Sequence, residues 1–263
     1  MPGFLTIPRE LRDQIGHGFF TSPTGYLSFQ HIPLSSPQTL KLFVTSPFTP
    51  SSDAVVRSFD YDPPFALLRT CKQLYFECAP LLWCYNNMLA CPWSLIKQIS
   101  TLPLAQQFRT GHVTLKVDLL SVEVWDAATI CSLGKWAQGG CLKSLNMHLV
   151  DSDDMGLPGM KWRIAWRTAV REHLQIFERL GEDSAFRGVE KNIRLDSKAE
   201  KCVKGALEKV GSFEMVIGGL KSAMGCEMWI DGAFWDKEAV GCDVIYQFLR
   251  GSEKILEWLE AEL

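Results

Sequence analysis

Apolar residues recur at three- and four-residue steps between Ala66 and Asn87, the longest helical pattern in the first half of the chain. This spacing predicts a helix with one buried face. The face consists of Leu67, Leu68, Cys71, Leu74, Tyr75, Cys78, Leu82 and Tyr85. Because Pro80 has no N–H to donate, we expect the helix to end near Ala79 and a short second turn to follow.

A second helical stripe lies near the N-terminus. It consists of Leu11, Ile15 and Phe19, at four-residue steps. Thr6 is a residue type that caps helices, and Pro8 suits a first-turn position. Residues 21–64 are rich in proline and serine, which is typical of loops. Two apolar pieces in this insert, 25–29 and 40–44, predict a hairpin or two edge strands.

Strand-like and helix-like patterns alternate in the rest of the chain. Predicted strands lie at 87–91, 111–119, 142–149, 189–195, 212–217 and 227–230. Predicted helices lie at 92–100, 102–108, 125–136, 162–181, 199–210 and 239–263. This alternation is typical of a parallel or mixed sheet covered by helices. We therefore predict an α/β or α+β protein with N-terminal helices packed on a mixed β-sheet.

The pattern also predicts a division into domains. Residues 1–90 form a helical unit interrupted by the Pro/Ser-rich insert at 21–64, and residues 91–263 form an α/β body. A turn-rich stretch at 151–160 marks a predicted subdomain break within the body.

Composition narrows the class of protein. Of the 263 residues, 47% are hydrophobic, which is enough for a substantial core. The formal net charge of -3 lacks the basic excess of a duplex-binding domain, so no nucleic-acid partner is predicted. Membrane helices need roughly 20 consecutive apolar residues, and no such run occurs, so no membrane partner is predicted. The nine cysteines are spread through predicted helices and strands, which favours a reduced protein of the cytoplasm or nucleus.

Four of the cysteines invite a metal-site hypothesis. They are Cys71, Cys78, Cys84 and Cys91, separated by six, five and six intervening residues. A zinc-binding loop usually presents two thiolates only about two to four residues apart. We therefore interpret these cysteines as buried apolar residues and predict no metal and no cofactor.

No catalytic motif is present in the sequence. It has no Gly-x-Ser-x-Gly elbow, no phosphate-binding glycine-rich loop and no His-Glu-x-x-His helix. We therefore predict a protein that is not an enzyme. The alternative is an enzyme whose site is assembled from dispersed side chains. It requires a deep pocket in which at least two of His112, His148, Cys131 and Asp118 converge.

Two segments resemble a group of filamentous-fungal F-box-like domain-containing proteins. The segment Phe4-Leu-Thr-Ile-Pro-Arg-Glu-Leu-Arg-Asp-Gln-Ile15 is similar to the opening Phe-x-x-Leu-Pro-x-Glu-(Ile/Leu)-Arg-x-x-Ile, with Ile7 in place of leucine. A second family segment reads Leu-Leu-x-x-Cys-(Arg/Lys)-x-(Ile/Leu)-Tyr-x-Glu-Ala-x-x-Leu-(Leu/Tyr)-Tyr-x-x-Asn. Its counterparts here are Leu67, Leu68, Cys71, Lys72, Leu74, Tyr75, Glu77, Ala79, Leu82, Tyr85 and Asn87, with Cys78 inserted before Ala79.

The resemblance implies an F-box-like helical unit that docks on a Skp-type adaptor of a cullin ubiquitin ligase, followed by a body that selects substrate. The docking residues it implies are Leu5, Ile7, Pro8, Leu11 and Ile15. We therefore predict a non-enzymatic protein-interaction module, in its specific form an F-box-like substrate receptor. The alternative is a stand-alone fungal scaffold or binding protein with no ubiquitin-ligase link, in which the same residues pack against Leu74 and Leu82.

Overall fold

The computed structural model describes residues 4–32, 39–44, 70, 72–90, 111–119, 127–150, 160–195, 197–207, 213–230 and 233–234. The chain divides into two compact units. Unit 1 consists of Met1–Leu115 and Trp125–Leu145, and unit 2 consists of Lys116–Val124 and Asn146–Leu263. The predicted boundary at residue 90 and the predicted break at 151–160 stay predictions, because residues 91–110 and 151–159 lie outside the described residues.

Unit 1 begins with a 3-10 turn, Phe4–Thr6. Its helices are α1 (Arg9–Phe20), α2 (Lys72–Tyr85) and α3 (Ala127–Gln138). Its strands are β1 (Tyr26–Ile32), β2 (Thr39–Val44), β3 (Asn87–Ala90) and the first residues of β4 (His112–Asp118) and β5 (Ser144–Val150). The strands β2, β1, β3 and β4 are neighbours in that order.

Strand pairing in unit 1 is mixed. β1 and β2 form an antiparallel hairpin, in which Leu27 is opposite Val44. β1 pairs in parallel with β3, and β3 pairs in parallel with β4 from Asn87 opposite His112 to Ala90 opposite Leu115. Of the two arrangements predicted for the insert, a hairpin or two edge strands, the hairpin is the one that forms.

Helix α2 differs from its prediction at Pro80. The helix continues through this proline to Tyr85, so the predicted end at Ala79 is wrong. Pro80 removes the donor for the carbonyl of Phe76, four residues earlier. Both residues are exposed, so water can satisfy that carbonyl. The predicted start of the helix at Ala66 lies outside the described residues.

Unit 2 contains the remainder of β4 and β5 and the C-terminal elements. Its helices are α4 (Met160–Glu182), α5 (Ser197–Leu207) and α6 (Phe213–Met224), with a 3-10 turn at Ser184–Phe186. Its further strands are β6 (Glu190–Leu195), β7 (Glu227–Ile230) and β8 (Ala233–Phe234). β6 and β7 pair in parallel and β8 is antiparallel to β7.

The strand predicted at 212–217 is wrong, because residues 213–217 open helix α6. The buried residues Phe213, Val216, Ile217 and Leu220 follow the spacing of three and four that is typical of a helix. A short apolar run fits either a strand or a helix, so this part of the sequence does not distinguish the two. The predicted helices at 92–100, 102–108 and 239–263 lie outside the described residues.

In unit 2, helix α4 follows β5 and helices α5 and α6 follow β6 along the chain. β5, β6 and β7 are neighbours in the order of the chain. Right-handed crossovers between parallel strands that advance in one direction place their helices on the same face. Helices α4 and α6 contact each other, as this geometry requires. The residues on the apolar side of the strands are fully buried, namely Met147, Ile193 and Met228.

The opposite side of these three strands is polar. The side-chain amide of Asn192 donates to Asn146 Oδ1 at 3.2 Å, and the indole N–H of Trp229 donates to Asn192 Oδ1 at 3.3 Å. Asn146 and Asn192 are both buried. Because buried amides need partners, this hydrogen-bonded row satisfies groups that an apolar environment would penalise.

The described elements confirm the predicted class, α/β or α+β, with helices between parallel strands and with β2 and β8 antiparallel to their neighbours.

Two helices of unit 2 approach very closely at Gly181, near the end of α4. A Cβ at Gly181 would clash with the backbone carbonyl oxygen of Ala223 in α6. Only glycine fits this contact.

Candidate protein-interaction surface

Helices α1 and α2 lie side by side and run in the same direction. Arg12 of α1 contacts Glu77 of α2, and Gly16, one turn later, faces Leu81. A Cβ at Gly16 would lie 2.6 Å from Leu81 Cδ1, so the glycine permits the close approach. A glycine inside a helix usually weakens it, but Gly16 is here part of the packing between the two helices.

Arg12 connects three segments of the N-terminal region. Its Nε and Nη2 donate to the two carboxylate oxygens of Glu77 at 2.8 and 2.7 Å. Its Nη1 donates to the backbone carbonyls of Ile7 at 2.6 Å and Leu5 at 3.2 Å. Arginine suits this position because its planar guanidinium carries five N–H donors in a fixed geometry. A single side chain thus joins α2 to α1 and to the turn that precedes α1.

The Arg12–Glu77 pair is well enclosed, with side-chain exposures of only 8% and 15%. Hydrogen bonds from Arg12, and secondarily from Gln73, hold the pKa of the Glu77 carboxyl below its ordinary value of 4.5. The Gln73 amide donates to Glu77 Oε1 at 2.9 Å. Glu77 is therefore ionised at neutral pH, and the pair is charged.

Asn86 joins the other ends of the two helices. Its side-chain amide donates to the carbonyls of Phe20 at 2.6 Å and Leu82 at 2.7 Å. Its Oδ1 accepts from the backbone N–H of Ser22 at 2.6 Å. Since Phe20 and Leu82 lie in the last turns of α1 and α2, the fully buried Asn86 satisfies carbonyls that each helix leaves without a donor.

The apolar stripe of α1 does not face α2. The residues of α1 that are buried are Arg12, Gly16 and Phe20. The predicted stripe is offset from them by one residue, about 100° around the helix. As a result Leu11 is 49% exposed and Phe19 53% exposed, and Ile15 is half-buried. The inward side of α1 thus contains an arginine and a glycine, and Leu11 lies on the outward side.

Exposed apolar side chains are concentrated on these elements. Among the described residues, the large apolar side chains that are exposed are Leu5, Leu11, Phe19, Phe76 and Tyr85. They lie on the first 3-10 turn, on α1 and on α2. We name Leu5, Leu11 and Phe19, which lie on the first turn and on the outward side of α1, the N-terminal apolar surface. Single exposed apolar residues are normal, whereas a group of them is a candidate surface for a partner.

The residues implicated by the resemblance have different environments. Leu5, Pro8 and Leu11 are exposed, and Ile7 and Ile15 are half-buried. The interior of the helix pair is formed instead by Leu74, Cys78 and Leu82, which are almost completely buried as predicted. The role of the five residues in binding stays a prediction. Pro8 is the residue directly before α1 and supplies no side-chain cap.

The structure also places the residues of the enzyme alternative. His112 Nδ1 lies 2.8 Å from Ser144 Oγ. The backbone carbonyl of Asp118 accepts a hydrogen bond from His173 Nε2 at 3.1 Å. His148 is buried in β5, whereas Cys131 is exposed on α3. That the chain is not an enzyme stays a prediction.

The cysteines of the metal hypothesis separate in the structure. Cys78 is buried, as predicted, but Cys84 is exposed, so the prediction of a buried thiol is wrong there. Cys84 lies one turn beyond Pro80 on the solvent side of α2, which explains the difference. Cys71 and Cys91 lie outside the described residues. Within the described ranges, no three His, Cys, Asp or Glu side chains form a group that could hold a metal ion.

Sequence reasoning missed Arg12, Glu77 and Asn86 as the residues that organise this surface. Arg12 and Glu77 belong one to each of the family-like segments, and the structure joins the two segments through them. A pair that is 65 positions apart gives no periodic signal. In the second segment Asn87 was matched to the family asparagine, whereas the neighbouring Asn86 makes the three hydrogen bonds.

None of the helices in the described part of the chain is long and apolar enough to cross a membrane.

Comparison with known proteins adds no relationship: no protein-family model, no curated protein and no solved structure matches the chain.

Proposed function

We propose that this protein is a non-enzymatic protein-interaction module and that a partner protein docks on the N-terminal apolar surface. The observation that carries the proposal is the orientation of α1. Its buried side is held by an ion pair and a glycine contact, which leaves Leu11 exposed on the other side. Burying large apolar side chains against a partner is favourable by about 25 cal/mol per Å² of area removed from water.

The partner we propose is a Skp-type adaptor, which makes the chain an F-box-like substrate receptor. The resemblance of the two N-terminal segments supports this choice. The exposure of Leu5, Pro8 and Leu11 also supports it, because these are residues that the resemblance assigns to adaptor docking. A receptor of this kind would act in the cytoplasm or nucleus. The stand-alone scaffold without a ligase is the competing outcome of the test.

The test is a titration of the full chain with a purified recombinant fungal Skp-type adaptor, and isothermal titration calorimetry measures the binding. The informative variant is Leu5→Glu, Leu11→Glu, which places two carboxylates on the exposed surface. We expect it to weaken binding by at least about 100-fold, because charges at the centre of an interface are strongly penalised. Its free energy of unfolding should change by less than about 0.5 kcal/mol, since both side chains are exposed.

The matched control is Gln138→Glu, Gln175→Glu. Both glutamines are exposed and belong to helices other than α1 and α2, and the change adds the same two negative charges. This control should bind the adaptor as the wild type does. Wild-type protein that does not bind the adaptor would refute the receptor proposal. A Leu5→Glu, Leu11→Glu variant that binds normally would show that the docking surface lies elsewhere.

A further inference from the structure

Backbone hydrogen bonds help to hold the turn that carries Leu5. The turn is only one 3-10 unit long, Phe4–Thr6, and the Leu5 side chain is 43% exposed. Burial of the Leu5 side chain therefore does little to fix the position of the turn. The guanidinium of Arg12 instead holds the carbonyl oxygens of Leu5 and Ile7, on either side of Thr6.

Arg12 is itself held in place from two directions. Glu77 binds its Nε and Nη2 as a bidentate acceptor, which fixes the plane of the guanidinium. The backbone N–H groups of Leu11 and Arg12 both donate to the carbonyl of Pro8 at 3.1 Å, which fixes the first turn of α1. The Nη1 donors therefore point at the turn from a rigid base.

We propose that Arg12 is a positioning residue of the N-terminal apolar surface. By binding the carbonyls of Leu5 and Ile7 it holds Leu5 at a fixed place relative to Leu11, so that a partner protein meets one preformed surface. This inference rests on the proposed function. It adds Arg12 as a residue that supports the docking surface without contacting the partner itself. A surface that is ordered before binding avoids the entropy cost of ordering it during binding.

Arg12 makes two sets of hydrogen bonds, and comparing them distinguishes positioning from simple packing. Its bonds to Glu77 join the two helices, whereas its Nη1 bonds reach the turn. Replacing Glu77 by glutamine removes the charge but leaves Arg12 and its carbonyl bonds present. Replacing Arg12 by glutamine removes both sets of bonds. Arg12→Lys keeps the positive charge, yet a single ammonium group cannot reproduce the planar fork that reaches the carboxylate and the carbonyls together.

The first measurement uses the free chain and limited chymotrypsin digestion. Leu5 is exposed and lies within the segment that Arg12 holds, so cleavage after Leu5 reports how often that segment opens. We expect Arg12→Gln to accelerate release of the N-terminal peptide by about 10-fold, and Glu77→Gln to accelerate it less. Circular dichroism verifies that both variants remain folded. Unchanged cleavage in folded Arg12→Gln would overturn the proposal.

The second measurement is a double-variant cycle for binding to the Skp-type adaptor, using Leu5→Ala and Arg12→Gln. Positioning predicts that Arg12→Gln weakens binding by about 10-fold in the wild-type chain but by less than about 2-fold when Leu5 is already alanine. Equal weakening in both backgrounds would mean that Arg12 only stabilises the fold, and would overturn the inference. If wild-type protein does not bind the adaptor, the proposed function fails, and the cleavage rates still decide whether Arg12 fixes the turn.

Discussion

Acidification from pH 7 to pH 5 should destabilise this protein through one histidine of unit 2. His173 of α4 is 2% exposed, and its Nε2–H donates to the backbone carbonyl of Asp118 at 3.1 Å. Burial lowers the pKa of this imidazole from 6.5 to about 4, and the hydrogen bond to Asp118 opposes that shift only in part. The folded protein therefore keeps His173 neutral under conditions in which the unfolded chain binds a proton.

The sign and size of the effect follow from linkage. Between the folded and unfolded pKa values the unfolded state binds more protons, so the free energy of unfolding falls as the pH falls. A shift from 6.5 to about 4 removes about 2 kcal/mol between pH 7 and pH 5, and about 3 kcal/mol by pH 4. The contribution of Glu77, whose pKa lies below 4.5, is lost only at more acidic pH.

The assay is urea denaturation followed by tryptophan fluorescence at pH 7 and pH 5, for the wild type and for His173→Gln. Glutamine retains an N–H donor for the Asp118 carbonyl but does not titrate. The variant should therefore lose about 2 kcal/mol less than the wild type between the two pH values. If the wild type and the variant lose the same free energy of unfolding, His173 is not a buried neutral group and the reasoning is refuted.

Three further predictions concern packing, hydrogen bonding and thiol chemistry. Gly181→Ala should lower the free energy of unfolding by about 1–3 kcal/mol through its backbone clash. Gly205 is exposed in a helix with open space around it, so Gly205→Ala should raise the free energy of unfolding by roughly 0.5–1 kcal/mol. Urea titrations of both variants measure the contrast. Asn86→Ala should cost about 2–3 kcal/mol in the same assay, because it leaves buried carbonyl and N–H groups without partners, and a loss below about 0.5 kcal/mol would contradict the bonding described. In native protein at pH 8, iodoacetamide should label exposed Cys84 but not Cys226, since burial raises the pKa of Cys226 to about 12 and only about one thiol in ten thousand is then the reactive thiolate. Mass spectrometry of the peptides reads the result, and rapid native labelling of Cys226 would contradict it.

The inward and outward sides of α1 show where pattern reading stops. The four-residue steps of Leu11, Ile15 and Phe19 correctly predict a helix. The usual inference that an apolar stripe is buried then fails for Leu11, because the inner side is built from Arg12 and Gly16 instead. An arginine becomes buried only when a carboxylate and carbonyl groups satisfy it, and those partners come from other segments of the chain.

Local patterns in the sequence determined the elements: the strands that alternate at β4 and β5, the long helix α4, and hence the α/β class. These elements can be predicted because side-chain periodicity is a local pattern that spans only a few residues. The tertiary structure alone decided what those elements do together. In the tertiary structure α2 continues through Pro80, residues 213–224 form a helix, Arg12 pairs with Glu77 and Leu11 is exposed. The last two depend on contacts between residues far apart in the chain, for which one sequence carries no periodic signal.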